Sequence, residues 1–335
     1  MIDEALWLKL ETDRRDSSGR VQRRVFPSSA NDIYVAVSYP TNQRILAVEG
    51  GRQTFHAAGS RIRNLSQTQG IEVSVEPVSD HVSELRIVLT SADLAAVFTP
   101  LVDDIAEVAA GSGPDRVIVE AIERYERWLH LMRVVADNGL SKEARRGLFG
   151  ELTVLRDHLL PNLPEHDAVS AWTGPDRTDQ DFQLPRCAVE VKTTTNRTGA
   201  TLAIANERQL DSTGTNSLFL VGYAIDERQG GSGISLQGLV ADIRSRLVSV
   251  SARARFNRTL AMTGYFDPHA DRYTEPRYTI ASETIWLVEE GFPRLMPASL
   301  PQGVHHCSYS ITPSSLADFA RDAAVLHQAV RGVSR

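Results

Sequence analysis

The sequence predicts a β-rich N-terminal region followed by a larger mixed α/β domain. Three observations carry this reading. Short alternating or β-branched segments crowd the first 90 positions, two amphipathic helical patterns follow Gly111-Ser-Gly-Pro114, and strand patterns mix with helical ones beyond residue 180. At 335 residues the chain has room for two domains. The Gly-Ser-Gly-Pro segment places the boundary, giving 1–111 as a β-rich accessory domain and 112–335 as the α/β domain.

In order along the chain, Asp32-Ile-Tyr-Val-Ala-Val-Ser-Tyr39 reads as a strand stopped by Pro40, Ile71–Glu76 alternates apolar and acidic, and Glu84–Thr90 is a third strand. Gly50-Gly51 and Gln69-Gly70 supply turns, and a helix runs from Ser91, its N-cap, to about Ala110. Ile118, Ile122, Tyr125, Leu129 and Met132 form one apolar stripe on a helix that Asn138-Gly139 ends. Ser141 caps a second helix with Leu148, Leu152, Leu155 and Leu159 on one face, and Pro161 stops it. Strands are expected at Asp181–Leu184, Ala188–Thr193, Leu218–Ala224, Thr284–Val288 and His306–Ile311, with helices at Leu236–Val248 and from Ser314 through the stripe Leu316, Phe319, Ala323, Leu326, Val330.

The composition, 42% apolar and 23% charged, is that of a globular chain with a real core. No apolar run approaches the ~20 residues a bilayer span needs. The N-terminus lacks a basic segment followed by an apolar one, so a cytoplasmic protein with no membrane partner is expected. Cys187 and Cys307 lie far apart without a CxxC partner, which excludes a disulfide scaffold and a cysteine zinc site. A net charge of −6 argues mildly against a whole-surface nucleic-acid coat but not against a local basic groove. Only three of the 36 basic residues are lysines: Lys9, Lys142 and Lys192.

Lys192 stands where chemistry concentrates. A period of two along Ala188-Val-Glu-Val-Lys-Thr193 puts Val189, Val191 and Thr193 on one face and Ala188, Glu190 and Lys192 on the other. Asp181 heads a short strand nine positions upstream of Glu190, with Phe182 and Leu184 toward the core and Leu184-Pro-Arg186 short enough for a hairpin. The hairpin would bring the two carboxylates together. At about 4 Å they repel by about 4 kcal/mol at an effective dielectric near 20. Both stay ionised only with a cation between them. Carboxylates suit Mg2+, which keeps waters and phosphate oxygens in its shell, and a nearby lysine can orient an attacking water. Together these are the parts needed for phosphodiester hydrolysis. On the preceding helix, Glu151 falls about 60° from the centre of the buried face at 100° per residue, half sheltered, and Gly150 beside it allows a close backbone approach.

These residues resemble the PD-(D/E)XK superfamily of restriction endonucleases and DNA-repair nucleases. The resemblance rests on Gly147-Leu-Phe-Gly-Glu-Leu152, Trp172-Thr-Gly-Pro175, Asp181-Phe182 and Val189-Glu-Val-Lys-Thr193, and within the superfamily it is to an uncharacterised bacterial branch associated with restriction and anti-phage defence loci. It is sharp over 147–195 and extends over about 115–335, with the N-terminal β domain as the branch's usual companion. It implies a restriction-endonuclease-like α/β core: a short mixed sheet flanked by helices. It implies a DNA endonuclease using Mg2+, with Mn2+ as substitute. Asp181, Glu190 and the Val191 carbonyl would be metal ligands, Lys192 the water-activating residue and Glu151 a helper. DNA is the implied partner, other defence proteins and a second copy of the chain further ones. Two departures stand out: Gln180 occupies a position where the superfamily commonly has proline, and the Asp181–Glu190 spacing is short.

Alternatives stay open at several positions. Asp176 and Asp179, in a polar loop, compete with Asp181 for the ligand role, and Glu190–Lys192 can also be read as an exposed ion pair. Gln209 reads either as a contact to DNA or to the attacking water, or as a solvated helix residue. His305-His306-Cys307 points alternately and cannot close on one ion. For DNA contact the best stretch is Ile243–Arg258, with Arg244, Arg246, Arg253, Arg255 and Arg258 and no acid. The rival function is a non-catalytic nuclease-like scaffold that recruits partners in a defence complex, and RNA is the rival substrate.

Overall fold

A computed structural model of the chain describes residues 2–13, 18–65, 70–135, 139–176, 178–195 and 201–332. Two compact units emerge, Met1–Asp137 with Phe266–Pro268 and Asn138–Tyr265 with His269–Arg335.

The first unit contains α1 (Glu4–Thr12), β1 (Gly19–Val25), β2 (Ile33–Tyr39), β3 (Gln43–Gly51), α2 (Arg52–Leu65), β4 (Ile71–Pro77), β5 (Val82–Leu89), α3 (Ala95–Gly111) and α4 (Val117–Val135). Its five strands form an antiparallel sheet in the order β1-β2-β3-β5-β4. The three expected strands are present, while α1, β1, β3 and α2 were not legible. Gly50 and Gly51 end β3 rather than making a tight turn, and a Cβ at Gly50 would lie 2.7 Å from Ile118 Cγ1. The Gln69 half of the second expected turn, and Asn138, lie outside the described residues. Ser91 precedes a short 3-10 turn before α3 but makes no side-chain cap. α4 buries Ile118, Ile122, Tyr125 and Leu129 as its stripe predicts. It packs on α2 and α3, where the buried Asp104 carboxylate accepts from Trp128 Nε1 (2.8 Å) and Arg124 Nη2 (2.9 Å). The expected 111/112 boundary therefore does not coincide with the division between the units: this apolar stripe keeps the helix with the first.

The second unit contains α5 (Lys142–Val154), α6 (Glu165–Ser170), β6 (Phe182–Gln183), β7 (Cys187–Thr194), β8 (Leu202–Ile204), β9 (Ser217–Arg228), β10 (Ile234–Ser235), α7 (Leu236–Arg246), α8 (Val250–Met262), β11 (Arg277–Leu287), β12 (Tyr309–Ile311), β13 (Ala320–Arg321) and α9 (Ala323–Val330). The sheet order is β10-β11-β9-β7-β6, with β13 also on β11. β7 and β9 run parallel and the other pairs antiparallel, so the fold is the expected short mixed sheet with flanking helices. Ser141 caps α5 by accepting from Ala144 N–H at 3.1 Å. The helix continues as a π-turn over Leu155–Leu159, closed by Leu160 N–H to the Leu155 carbonyl.

Both faces of this sheet are covered. Val189, Val191, Phe219, Val221 and Tyr223 pack under α5 and α7. Ala188, Leu218, Leu220 and Trp286 meet Leu202, Ile204, Leu210, Ile311 and Leu316 from later segments. Two expectations need correction. α7 stops at Arg246, and the arginine-rich stretch after it is a separate helix, α8. The expected helix from Ser314 is a 3-10 turn over Pro313–Phe319, a two-residue strand and only then α9. Among the described residues no helix is long and apolar enough to cross a membrane.

Candidate active site

β6 and β7 form the expected hairpin in register Phe182↔Val189 and Gln183↔Ala188, which sets Asp181 beside the Glu190 end of β7. Phe182 is fully buried and Gln183 exposed, as the alternation requires. Where β6 ends, the Asp181 side chain continues the ladder: its Oδ2 accepts the Val191 N–H at 2.8 Å. The segment before it is folded back by Thr173 and Gly174 N–H, both donating to the Asp181 carbonyl at 2.9 Å. Gly174 has to be small, because a Cβ there would lie 3.0 Å from Asp181 Oδ1 and 3.4 Å from Glu151 Oε2. One point therefore touches two carboxylates, one from the strand and one from α5. Glu151 reaches it because Gly150 lets α5 settle onto β7, where a Cβ would run into Thr193 Cγ2 and stand 3.3 Å from Val191 Cγ1. The Trp172 indole then donates to Glu151 Oε2 at 2.7 Å.

Glu190 is 1% exposed, so its pairing with Lys192 is not the exposed ion pair weighed from sequence. The second apolar layer, drawn from segments more than ten residues downstream, covers the face that a single strand's pattern leaves open. Lys192 Nζ forms an ion pair with Glu190 Oε1 at 2.6 Å, and among the described residues neither buried Glu190 oxygen has a hydrogen-bond partner in good geometry. The ammonium donates instead to Gln209 Oε1 at 3.0 Å, which also accepts the Ala205 N–H at 2.8 Å. Gln209 is thus not on a helix; it sits half-buried in a turn with its amide oxygen on the lysine.

Three carboxyls face one ammonium, and the electrostatics follow. Burial, then the Asp181 charge, pushes Glu190 well above the usual carboxylate range against the pull of Lys192. Burial raises Asp181, opposed by Lys192 and the Val191 N–H. Burial and Asp181 push Glu151 up to about 8. A buried group of acids short of positive charge, with two orphaned oxygens on Glu190, fits a divalent cation. Asp181, Glu190 and the Val191 carbonyl are the groups that would hold it. Among the described residues no three His, Cys, Asp or Glu side chains already form a metal cage. Mg2+ does not require one, since it takes one or two carboxylates and completes its shell with water and phosphate.

Other residues fall elsewhere. Asp176 and Asp179 are exposed in the loop, away from the β7 ladder contact that Asp181 makes. Glu207 accepts the His306 and Cys307 N–H groups at 3.2 and 2.8 Å, a structural use of the His-His-Cys segment. Of the five arginines, Arg258 is 9% exposed within α8, which corrects its reading as a surface phosphate contact. Arg244 Nε donates to Asn257 Oδ1 at 2.8 Å, and Arg255 is half-buried. Arg253 closes the α7–α8 corner on the Leu247 carbonyl at 2.7 Å, and Arg246 pairs with Asp242 at 3.1 Å; both are exposed. Two further residues serve the site without a local sequence signal for that role: Trp172, within the Trp-Thr-Gly-Pro segment, bonds Glu151, and Gln180, where the superfamily commonly has proline, bonds the Arg208 carbonyl.

A family model described as "Putative PD-(D/E)XK family member, (DUF4420)" matches residues 4–314. The chain belongs to that family, and the match spans both units. No significant match was found among curated proteins or among solved structures.

Proposed function

We propose, from membership of the PD-(D/E)XK family and the geometry of the site, that the chain is a Mg2+-dependent endonuclease hydrolysing DNA phosphodiester bonds, with Mn2+ able to substitute. The observation that carries the reading is the Glu190 carboxylate, buried, with no hydrogen-bond partner in good geometry among the described residues, beside Asp181 and paired with Lys192 at 2.6 Å. A buried acid cluster of this kind costs stability unless a cation joins it, so function is the better account of its presence.

Asp181, Glu190 and the Val191 carbonyl would hold the metal ion. When bound it neutralises these acids and the charge that develops on the phosphate. Lys192, held on two sides by Glu190 and Gln209, orients the attacking water toward phosphorus and supplies positive charge where negative charge gathers on the oxygens of the five-coordinate phosphorus. Water oxygen bonds to phosphorus and releases a proton to solvent, one P–O ester bond breaks, and the departing alkoxide takes up a proton in its place. Glu151, whose Oε2 is held by the Trp172 indole, lies at the edge of this site as a helper. The dry second face over Glu190 excludes competing water and strengthens each of these interactions. A role in restriction or anti-phage defence, acting in the cytoplasm on DNA with defence proteins or a second copy as partners, rests on the resemblance of the Gly147–Thr193 motifs to that branch.

Purified protein with supercoiled plasmid in Mg2+ or Mn2+ is the test, with EDTA, Glu190→Gln and Lys192→Ala in parallel. Metal-dependent nicking or linearisation is expected, falling by about 10^2- to 10^4-fold in either variant. Variants that cut as well as wild type would overturn the mechanism. No cutting together with no calorimetric Mg2+ binding would favour the non-catalytic scaffold, and preferential loss of an RNA competitor would move the substrate to RNA.

A further inference from the structure

Resting on that reading, we propose that Gln180 is a positioning residue: it fixes the Lys192 ammonium by clamping the turn on which Gln209 rides. Gln180 immediately precedes Asp181 and is 7% exposed. Its Nε2 donates to the Arg208 carbonyl at 2.9 Å, with the Asp211 and Gln209 carbonyls at 3.4 and 3.5 Å around the same nitrogen. Three carbonyl oxygens converge there, which fixes the nitrogen end of the amide toward the turn. The other end, Oε1, accepts from Gln183 Nε2 at 3.2 Å, and the Gln180 carbonyl accepts the Thr178 hydroxyl at 2.8 Å. One side chain thus ties the strand that presents Asp181 to the turn that presents Gln209. Gln209 passes the constraint on through the 3.0 Å bond to Lys192.

The lysine needs that second anchor. Its stem is flexible, and Glu190, a buried carboxylate 2.6 Å away, would draw the ammonium toward itself, away from the water. Gln209 pulls from another direction, and it can hold only as well as its own turn is held. A proline at position 180 has no amide to do this. The turn does not depend on Gln180 for its existence, because Arg294 Nη1 also donates to the Leu210 carbonyl at 2.6 Å and to Ser212 Oγ at 3.1 Å. Loss of Gln180 should shift the turn, leaving the unit folded.

With only three lysines, two of them exposed, Lys192 can be followed directly. In 15N-lysine NMR of the full chain the Lys192 ammonium should be the one resonance protected from solvent exchange, assigned by its disappearance in Lys192→Ala. In Gln180→Met, which keeps the volume and removes the amide, that protection should be lost while Lys9 and Lys142 do not move. Plasmid cleavage should lose about tenfold in kcat with KM within twofold. Gln180→Glu gives the same two readouts should Gln180→Met fail to fold, because a carboxylate cannot donate to the three carbonyl oxygens there. A Lys192 resonance unchanged in Gln180→Met, or an unchanged kcat, would overturn the proposal. Wild-type protein that cuts nothing would sink the nuclease reading instead, and the NMR comparison would still decide the role of Gln180.

Discussion

Glu151 carries a proton in the folded chain up to about pH 8, whereas in the unfolded chain it releases it near the ordinary value of 4.5. A raised folded pKa means that its contribution to stability is complete below about pH 4.5 and is lost as pH climbs toward 8. In EDTA, the melting temperature of wild type should therefore fall relative to Glu151→Gln between pH 5 and 8. The difference between the two curves removes other titrating groups, such as His327, which burial lowers and which pulls the opposite way. Added Mg2+ should restore wild type most at the alkaline end, since ligand binding to the native state stabilises it. Parallel curves for the two proteins would sink this account. Residues of this kind were legible because their spacing is local: Asp181, Glu190 and Lys192 lie on one hairpin, and Glu151 lies on one helix face. The partners of the site were not. Trp172 and Gln180 act through hydrogen bonds to residues 21 and about 30 positions away, and no periodicity reports such distances.

α5 tests the packing argument with two glycines three residues apart. Exchange of glycine for alanine within a helix normally gains about 1 kcal/mol from propensity. At Gly147 nothing among the described residues lies within 4 Å of an added Cβ, so Gly147→Ala should stabilise by up to that amount. At Gly150 the Cβ would run into Thr193 Cγ2, and overpacking of this sort costs about 1–3 kcal/mol. Gly150→Ala should therefore lower the melting temperature by a few degrees and, by lifting α5 off β7, slow cleavage through Glu151. Calorimetry on the two variants gives opposite signs; a common sign would mean that α5 does not sit on β7 as described. The helix itself announced its position through the Ser141 cap and the Leu148, Leu152, Leu155, Leu159 stripe. α8 carries comparable marks, the Ser249 cap and Ala252, Phe256 and Leu260 four residues apart, but Arg253, Arg255 and Arg258 make the stretch read as a charged surface, and Arg258 is buried with the apolar residues. The cover over Glu190 was equally illegible, being assembled from Leu202, Leu210, Ile311 and Leu316 rather than from β7.

The net charge of −6 is distributed unevenly over the whole chain. The first unit carries 15 Lys and Arg against 21 Asp and Glu, and the second carries 21 against 21. Setting aside Glu151, Asp181, Glu190 and Lys192, which belong to the site, the second unit has 20 basic residues against 18 acids. An overall acidic pI near 5.9 therefore coexists with a surplus of positive charge outside the site in the unit that would meet DNA. Arg246 and Arg253 are its exposed members at the α7–α8 corner. The Arg246–Asp242 pair is partly exposed and worth about 1 kcal/mol or less, so a phosphate can replace it, whereas Arg253 also satisfies the carbonyl of the buried Leu247. Binding of a short duplex, followed by fluorescence anisotropy in Ca2+ between 50 and 200 mM salt, should weaken linearly on a log–log plot. Replacing both arginines by glutamine should reduce the slope by about 0.9 for each phosphate that is no longer neutralised. Arg258→Gln should instead lower the melting temperature and leave the slope alone, because that guanidinium is buried within the unit. A slope that survives loss of Arg246 and Arg253 would place the DNA path on another face of the second unit, since the arginine corner would then contribute no released counterions.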